Sequence, residues 1–246
     1  MLELNTKLQL EQPEISEKPF SYLKNCLDNI VDIQDKEHFK GIKERLEIIK
    51  IQVDKSIDTY ENKDKENNLI KEIIDLRLKE NFDEKRINEL YQESQKLKSQ
   101  KLKNSLSELY NDWGNTLSDL GKIKNDEDFF NQAFEKYSIA SILNSKDGYI
   151  FSNWGVTLYT LAKVKNDDKN LYNQALEKLN KAIELGTSSY NLACFYSIRR
   201  NKKEALELLE EVLNNNEIEA SYVQKDEDWD NFKEDEDFKK LIEKYR

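Results

Sequence analysis

Trp113-Gly114-Asn115-Thr116-Leu117 returns 41 residues later as Trp154-Gly155-Val156-Thr157-Leu158. The copy extends through Lys122-Ile123-Lys124-Asn125-Asp126 against Lys163-Val164-Lys165-Asn166-Asp167, and through Asn131–Lys136 against Asn173–Lys178. An internal period of this size calls for a stack of like supersecondary units, each burying its apolar face against its neighbours. The units are expected to be helical. Only 6 Gly and 2 Pro among 246 residues are too few turn formers for a many-stranded sheet, whereas long runs of Glu, Lys, Leu, Ile and Asn suit helices. The expected fold class is all-α.

Before the repeat, residues 1–14 are polar, contain Pro13 and show no period, which reads as a loose arm. After Pro19, Phe20, Leu23, Leu27, Ile30 and Val31 fall at helical spacing. Phe39, Ile42, Leu46, Ile49, Val53, Ile57 and Tyr60 then step by threes and fours, one narrow stripe over about six turns. Glu61–Asn68 reads as a polar break, followed by a short helix with Leu69, Ile70, Ile73, Ile74 and Leu76. Asn81–Asp83 separates it from a helix carrying Ile87, Leu90, Tyr91, Ser94 and Leu97. Residues 15–104 are thus expected to form an N-terminal helical bundle or hairpin. The 39–60 stripe is assigned to packing within the chain, with a dimer seam as its other use.

Ser105-Leu106-Ser107-Glu108 has the pattern of a capping box, so a helix is expected to start there and run through Trp113 and Leu117 to about Gly121. A partner helix carries Phe130, Ala133, Phe134, Tyr137, Ala140 and Leu143. The pair recurs as Tyr149–Lys163 and Asp168–Leu185, stopped by Gly186, where a helix C-terminus favours glycine. A third, shorter pair follows, Tyr190–Ile198 and Lys202–Leu213.

In these positions the chain resembles the tetratricopeptide repeat family, whose units place a bulky and a small residue in the first helix and small, large, small residues in the second. The matching places are Trp113-Gly114-Leu117 with Ala133, Tyr137 and Ala140; Trp154-Gly155-Leu158 with Ala175, Leu179 and Ala182; and Leu192-Ala193-Tyr196 with Ala205, Leu209 and Val212. The third unit has the family length, with 12 residues from Ala193 to Ala205; the first two have 19 and 20, so an insertion of seven or eight is expected at each inter-helix turn. The resemblance implies a right-handed α-solenoid of three hairpins, 105–145, 146–187 and 188–214. Residues 215–246, rich in Asp and Glu, resemble the tail that closes such arrays, with Trp229, Phe232, Phe238, Leu241 and Ile242 on its inner side.

Charge and residue type exclude several function classes. A formal net charge of −10 repels phosphate backbones and anionic lipid, so neither nucleic acid nor membrane is an expected partner. The first ten residues lack a basic segment with an apolar run, and no later stretch reaches 18 apolar residues, which points to a cytoplasmic protein. His38 is the only histidine and no glycine-rich phosphate loop occurs, so neither catalysis nor a cofactor is expected. Cys26 and Cys194 sit at apolar helical positions and read as buried thiols. Asp226, Asp228, Asp230 and Asp237 share the spacing of calcium-loop ligands. Asn231, however, stands where that loop needs Gly, and Asp237 is shorter than the usual bidentate Glu, so no metal is assigned.

The family resemblance implies a concave groove lined by the first helices. By position it would show Asn111, Asn115 and Ser118, then Tyr149, Ser152, Asn153, Val156 and Tyr159, then Tyr190, Asn191 and Cys194. Members that clamp a chaperone's C-terminal carboxylate use two Asn with basic residues. Asn115 and Asn153 match the former, but Asn111, Thr187 and Asn191 replace the cations, which argues against that ligand. The expected function is a non-enzymatic scaffold or adaptor whose groove binds a peptide or helix of a protein partner, neutral or basic by charge. The alternatives are a chaperone for secreted or unstable clients, and a regulatory subunit docking an enzyme through the N-terminal bundle.

Overall fold

The computed structural model describes residues 40–80 and 82–246, with side chains from Glu47 onward except Ile57. The expected arm at 1–14, the helix at 20–31, Cys26, His38 and Phe39 lie outside the described residues, as do the side chains of Ile42, Leu46 and Ile57. The described residues are all-helical, with ten α-helices and one 3₁₀ turn. Contacts divide the chain between Asn68 and Leu69.

Helix α1 spans Lys40–Leu78, 39 residues without interruption. The polar break expected at Glu61–Asn68 is therefore corrected. The segment holds neither Gly nor Pro, and a run of Glu, Asn, Lys and Asp is polar without being a helix stop. Of the 39–60 stripe, Ile49 and Tyr60 are exposed. Helix α2 (Glu84–Leu97) begins at Asp83, whose side chain accepts from the Arg86 amide, and the Arg86 guanidinium grips Glu72 through two hydrogen bonds of 2.6 and 2.7 Å.

Helix α3 spans Gln100–Lys124 and is capped by Ser99, whose hydroxyl accepts from the Leu102 amide at 3.0 Å. The expected start at Ser105 is corrected: Leu102 is fully buried and nothing between it and Ser105 breaks the turn. The expected stop near Gly121 is corrected too. Gly121 lies inside α3, where a Cβ would sit 2.8 Å from the Phe130 ring, and the helix ends instead at Asn125 in the left-handed region. Helices α4 (Glu127–Leu143), α5 (Gly148–Val164) and α6 (Lys169–Glu184) are capped by Asp126, Asp147 and Asp168, each accepting a backbone amide. Gly186, at φ +90°, follows α6.

The extra residues of the first two hairpins do not swell their turns. Only Asn125 and Asp126 separate α3 from α4, and only residues 165–168 separate α5 from α6. Seven or eight residues equal about two helical turns, so lengthening both helices of a hairpin by about one turn preserves which faces meet. Helices α7 (Tyr190–Ile198) and α8 (Lys202–Asn214) form the shorter third hairpin. Helix α9 (Ala220–Val223), the 3₁₀ turn Glu227–Trp229 and α10 (Glu236–Lys244) complete the chain.

Small residues set the approach within hairpins. A Cβ on Gly114 would lie 2.6 Å from Tyr137 Cε1, and one on Gly155 would lie 2.7 Å from Leu179 Cγ. Beside each contact a lysine caps a tryptophan: Lys136 Nζ stands 3.9 Å from the Trp113 ring centre and Lys178 Nζ 4.4 Å from that of Trp154. Trp113 also stacks on Phe82, and Trp154 on Tyr137, so both indoles pack between helices. One core joins Leu69, Ile73, Ile87, Leu90, Leu102 and Leu106 to Tyr137 and Ala140; a second surrounds Leu158, Tyr172 and Phe195; a third joins α7 and α8 to the C-terminal segment.

Candidate functional site

Helices α3 and α5 are neighbours, as are α5 and α7, and the eleven positions singled out above fall on these three helices; Ser118 is half-buried on α3, and the other ten divide by exposure. Six of them stay at least partly open. Tyr149, at the first turn of α5, is 70% exposed, and Asn111, Asn115, Asn153, Val156 and Asn191 are half-buried. The amides bridge adjacent helices: Asn153 Nδ2 donates to Asn111 Oδ1 at 3.1 Å, and Asn191 Nδ2 donates to Ser152 Oγ at 2.8 Å. Asn115 Oδ1 accepts from the Tyr137 hydroxyl at 2.8 Å, and Thr157 Oγ1 donates to Ser118 Oγ at 3.0 Å. Each half-buried amide thus keeps part of its bonding capacity for the open side.

The other four, Ser152, Tyr159, Tyr190 and Cys194, are buried. Three of them are covered by the chain's own C-terminal segment. Tyr159 Oη donates to Asp228 Oδ2 at 2.8 Å, Tyr190 Oη donates to Asp226 Oδ2 at 2.6 Å, and Cys194 Sγ lies 3.8 Å from that same oxygen. Ser197 Oγ donates to the Asp228 carbonyl at 2.7 Å, Asn231 Nδ2 donates to the Ser197 carbonyl, and the Trp229 indole N–H donates to Tyr190 Oη at 3.3 Å. At the periphery Lys163 stands 3.7 Å from Asp228 and Lys122 3.5 Å from Glu227. The residues placed on the inner side of the tail, Trp229, Phe232, Phe238, Leu241 and Ile242, are all buried.

Sequence reasoning missed that this acidic segment lies across α5 and α7 and not only beneath the last hairpin. It also missed Lys122, Lys163 and Ser197 as contacts. The only available signal was the pairing of carboxylates with an aromatic in Asp226-Glu227-Asp228-Trp229, which a sequence alone cannot aim.

Burial governs the electrostatics here. It raises the Asp228 carboxyl above its ordinary value, against the Tyr159 hydrogen bond that favours the ionised form. Burial, then the nearby Asp228 carboxylate, pushes the Tyr159 phenol well up; burial, then Asp226 and Asp228, does the same to the Cys194 thiol. Both groups stay protonated, which removes a thiolate nucleophile from consideration. Among the described residues, Cys194 Sγ and one oxygen each of Asp226 and Asp228 come within 4.8 Å of one another, the one group of donors able to hold a metal. It is a mixed set, a protonated thiol with two carboxylates that already accept tyrosine hydroxyls. Asp237, the residue at the closing place of the calcium-like spacing, pairs instead with Lys202 Nζ at 2.8 Å.

No helix among the described residues is long and apolar enough to cross a membrane. The chain matches no protein-family model, no curated protein and no solved structure.

Proposed function

We propose that this chain is a non-enzymatic protein-protein interaction module acting in the cytoplasm. Its tetratricopeptide-like hairpins, preceded in the chain by an N-terminal helical bundle, wind into a right-handed solenoid and offer the face of α3, α5 and α7 to a peptide or helix of a partner. The observation that carries this reading is the row of Asn111, Asn115, Asn153, Val156 and Asn191 on adjacent helices, open to solvent beside the exposed ring of Tyr149. Side-chain amides pair with a peptide backbone whatever its sequence, and a tyrosine adds flat contact area at low entropic cost. The recurrence of Gly114 against Tyr137 and Gly155 against Leu179, each beside a lysine-capped tryptophan, supports a repeated hairpin. A formal net charge of −10 favours neutral or basic partners at this open part of the face.

The test is a displayed library of random peptides selected on the full chain, with affinities then measured by titration. Asn153→Ala with Tyr149→Ala should weaken selected peptides about 10-fold or more, the effect of one lost contact of about 1.4 kcal/mol. Undiminished binding by the double variant would refute the placement of the site.

A further inference from the structure

Polar side chains of α5 and α7 are satisfied by contacts with a short acidic segment. Asp226 and Asp228 each accept one buried tyrosine hydroxyl, from Tyr190 on α7 and Tyr159 on α5. The Asp228 backbone takes Ser197, the Trp229 indole N–H reaches Tyr190, and Lys122 and Lys163 stand at the rim. Taken together, these groups form a receptor for carboxylates two residues apart followed by an indole: two oriented hydroxyl donors, a serine donor for the backbone and two cations.

We infer that Asp226–Trp229 is an internal ligand of this receptor, and that the receptor takes an acidic Asp-x-Asp-aromatic segment of a partner protein when the internal one lifts away. The inference rests on the interaction reading above for its claim of binding in trans. It adds a second site, which takes an acidic segment through hydrogen-bond donors. A chain that is acidic overall repels acidic partners at long range, but the local donors decide what is held once contact is made. The docked Asp228 carboxylate is desolvated and its nearest cation is 3.7 Å away, so the carboxylate end of the internal ligand is its weaker part, while the Trp229 indole, fully buried against Phe238, is its anchor. Local opening of such a segment does not require the helices to unfold. The internal copy blocks the site by effective concentration, and a partner must outcompete it.

The experiment uses the full chain and a labelled peptide of residues 223–233, Val-Gln-Lys-Asp-Glu-Asp-Trp-Asp-Asn-Phe-Lys. Asp226→Ala with Asp228→Ala removes the internal carboxylates and leaves the tyrosine donors waiting. Amide exchange over residues 224–231 should accelerate, and the peptide should bind this variant about 10-fold or more tightly than the unaltered chain, one charged hydrogen bond's worth. The same peptide with both aspartates replaced by alanine should not bind. Tyr159→Phe with Tyr190→Phe keeps both rings, guards against misfolding, and should accelerate exchange in the same segment while abolishing peptide binding. Unchanged exchange in both variants overturns the inference, as does faster exchange with peptide binding no better than to the unaltered chain. In either case the library peptides bound near Tyr149 and Asn153 stand or fall separately.

Discussion

Gly114→Ala sets two effects of known sign against each other. Replacing glycine inside a helix favours the folded state by about 1 kcal/mol. The added methyl, however, would lie 2.6 Å from Tyr137 Cε1 and 2.9 Å from Cδ1 and Cζ, well inside contact distance. The ring has little room to retreat. It is 1% exposed and stacked on Trp154, and its hydroxyl is bonded to Asn115 at 2.8 Å and to Thr157 at 3.1 Å. Forcing a methyl into such a core costs about 1–3 kcal/mol, and stretching the buried hydroxyl from its partners adds about 1 more. The variant should therefore lose about 1–3 kcal/mol once the helix preference is subtracted. Urea denaturation followed by far-ultraviolet circular dichroism should show the midpoint falling by roughly 0.3–1 M. A cycle with Tyr137→Leu should give a favourable coupling of about 1 kcal/mol, because the smaller side chain makes room for the methyl. A midpoint that stays put or rises for Gly114→Ala alone would refute the claim that this glycine is fixed by the ring opposite it.

Gly186→Ala tests the complementary case, since no atom lies within 4 Å of the added Cβ but φ is +90°; it should cost about 1–2 kcal/mol in the same denaturation assay. Trp229→Ala empties a fully buried site stacked on Phe238 and should cost about 3–5 kcal/mol, with amide exchange accelerating first across Ala220–Arg246. Asp228 titrates above its ordinary 3.8 in the fold, so its ionisation works against docking. Protection of residues 226–231, corrected for intrinsic exchange, should increase as pH falls from neutral through that raised value and level off below 3.8. Asp228→Asn, which keeps an acceptor for Tyr159 without the charge, should flatten this dependence. Tyr159, Cys194, Asp226, Lys163 and Lys122 are the other groups facing the carboxyl, and the first two stay protonated throughout. Glu72 and Asp235 act in the opposite sense: arginine and lysine partners lower them, so their contributions fade in acid, and global stability should not follow the local protection. Arg77→Ala breaks a partly exposed pair of contacts with Glu108 and Asp112 and should cost about 1 kcal/mol or less, the loss shrinking in salt.

Some of this was legible one helix at a time. The helical spans around Phe130, Tyr149, Tyr172, Tyr190 and Ala205 follow from periodicity alone, whereas the capping pattern at Ser105 lies inside α3, and Asp83, Ser99, Asp126, Asp147 and Asp168 are the caps. Polarity is a poor guide to where a helix ends. Glu61–Asn68 continues α1, and Gly121 continues α3, because a polar stretch or a single glycine lowers helix preference without ending the helix. The extra residues of the long hairpins extend the helices and not the loops, since Lys122-Ile123-Lys124 and Lys163-Val164 contain nothing that stops a helix.

The sequence by itself determined that the described residues are helical and where the two copies of the Trp-Gly segment lie, because these follow from local periodicity and composition; that Gly114 meets Tyr137 and Gly155 meets Leu179 came from the packing of the helices. Which polar residues remain open was decided only by the tertiary structure. Tyr159, Tyr190 and Cys194 occupy the same kinds of helical positions as Asn111 and Asn153, but a segment 32 to 69 residues further along the chain covers them. Hydrogen bonds between residues that far apart depend on where the chain returns, and no local pattern encodes that return.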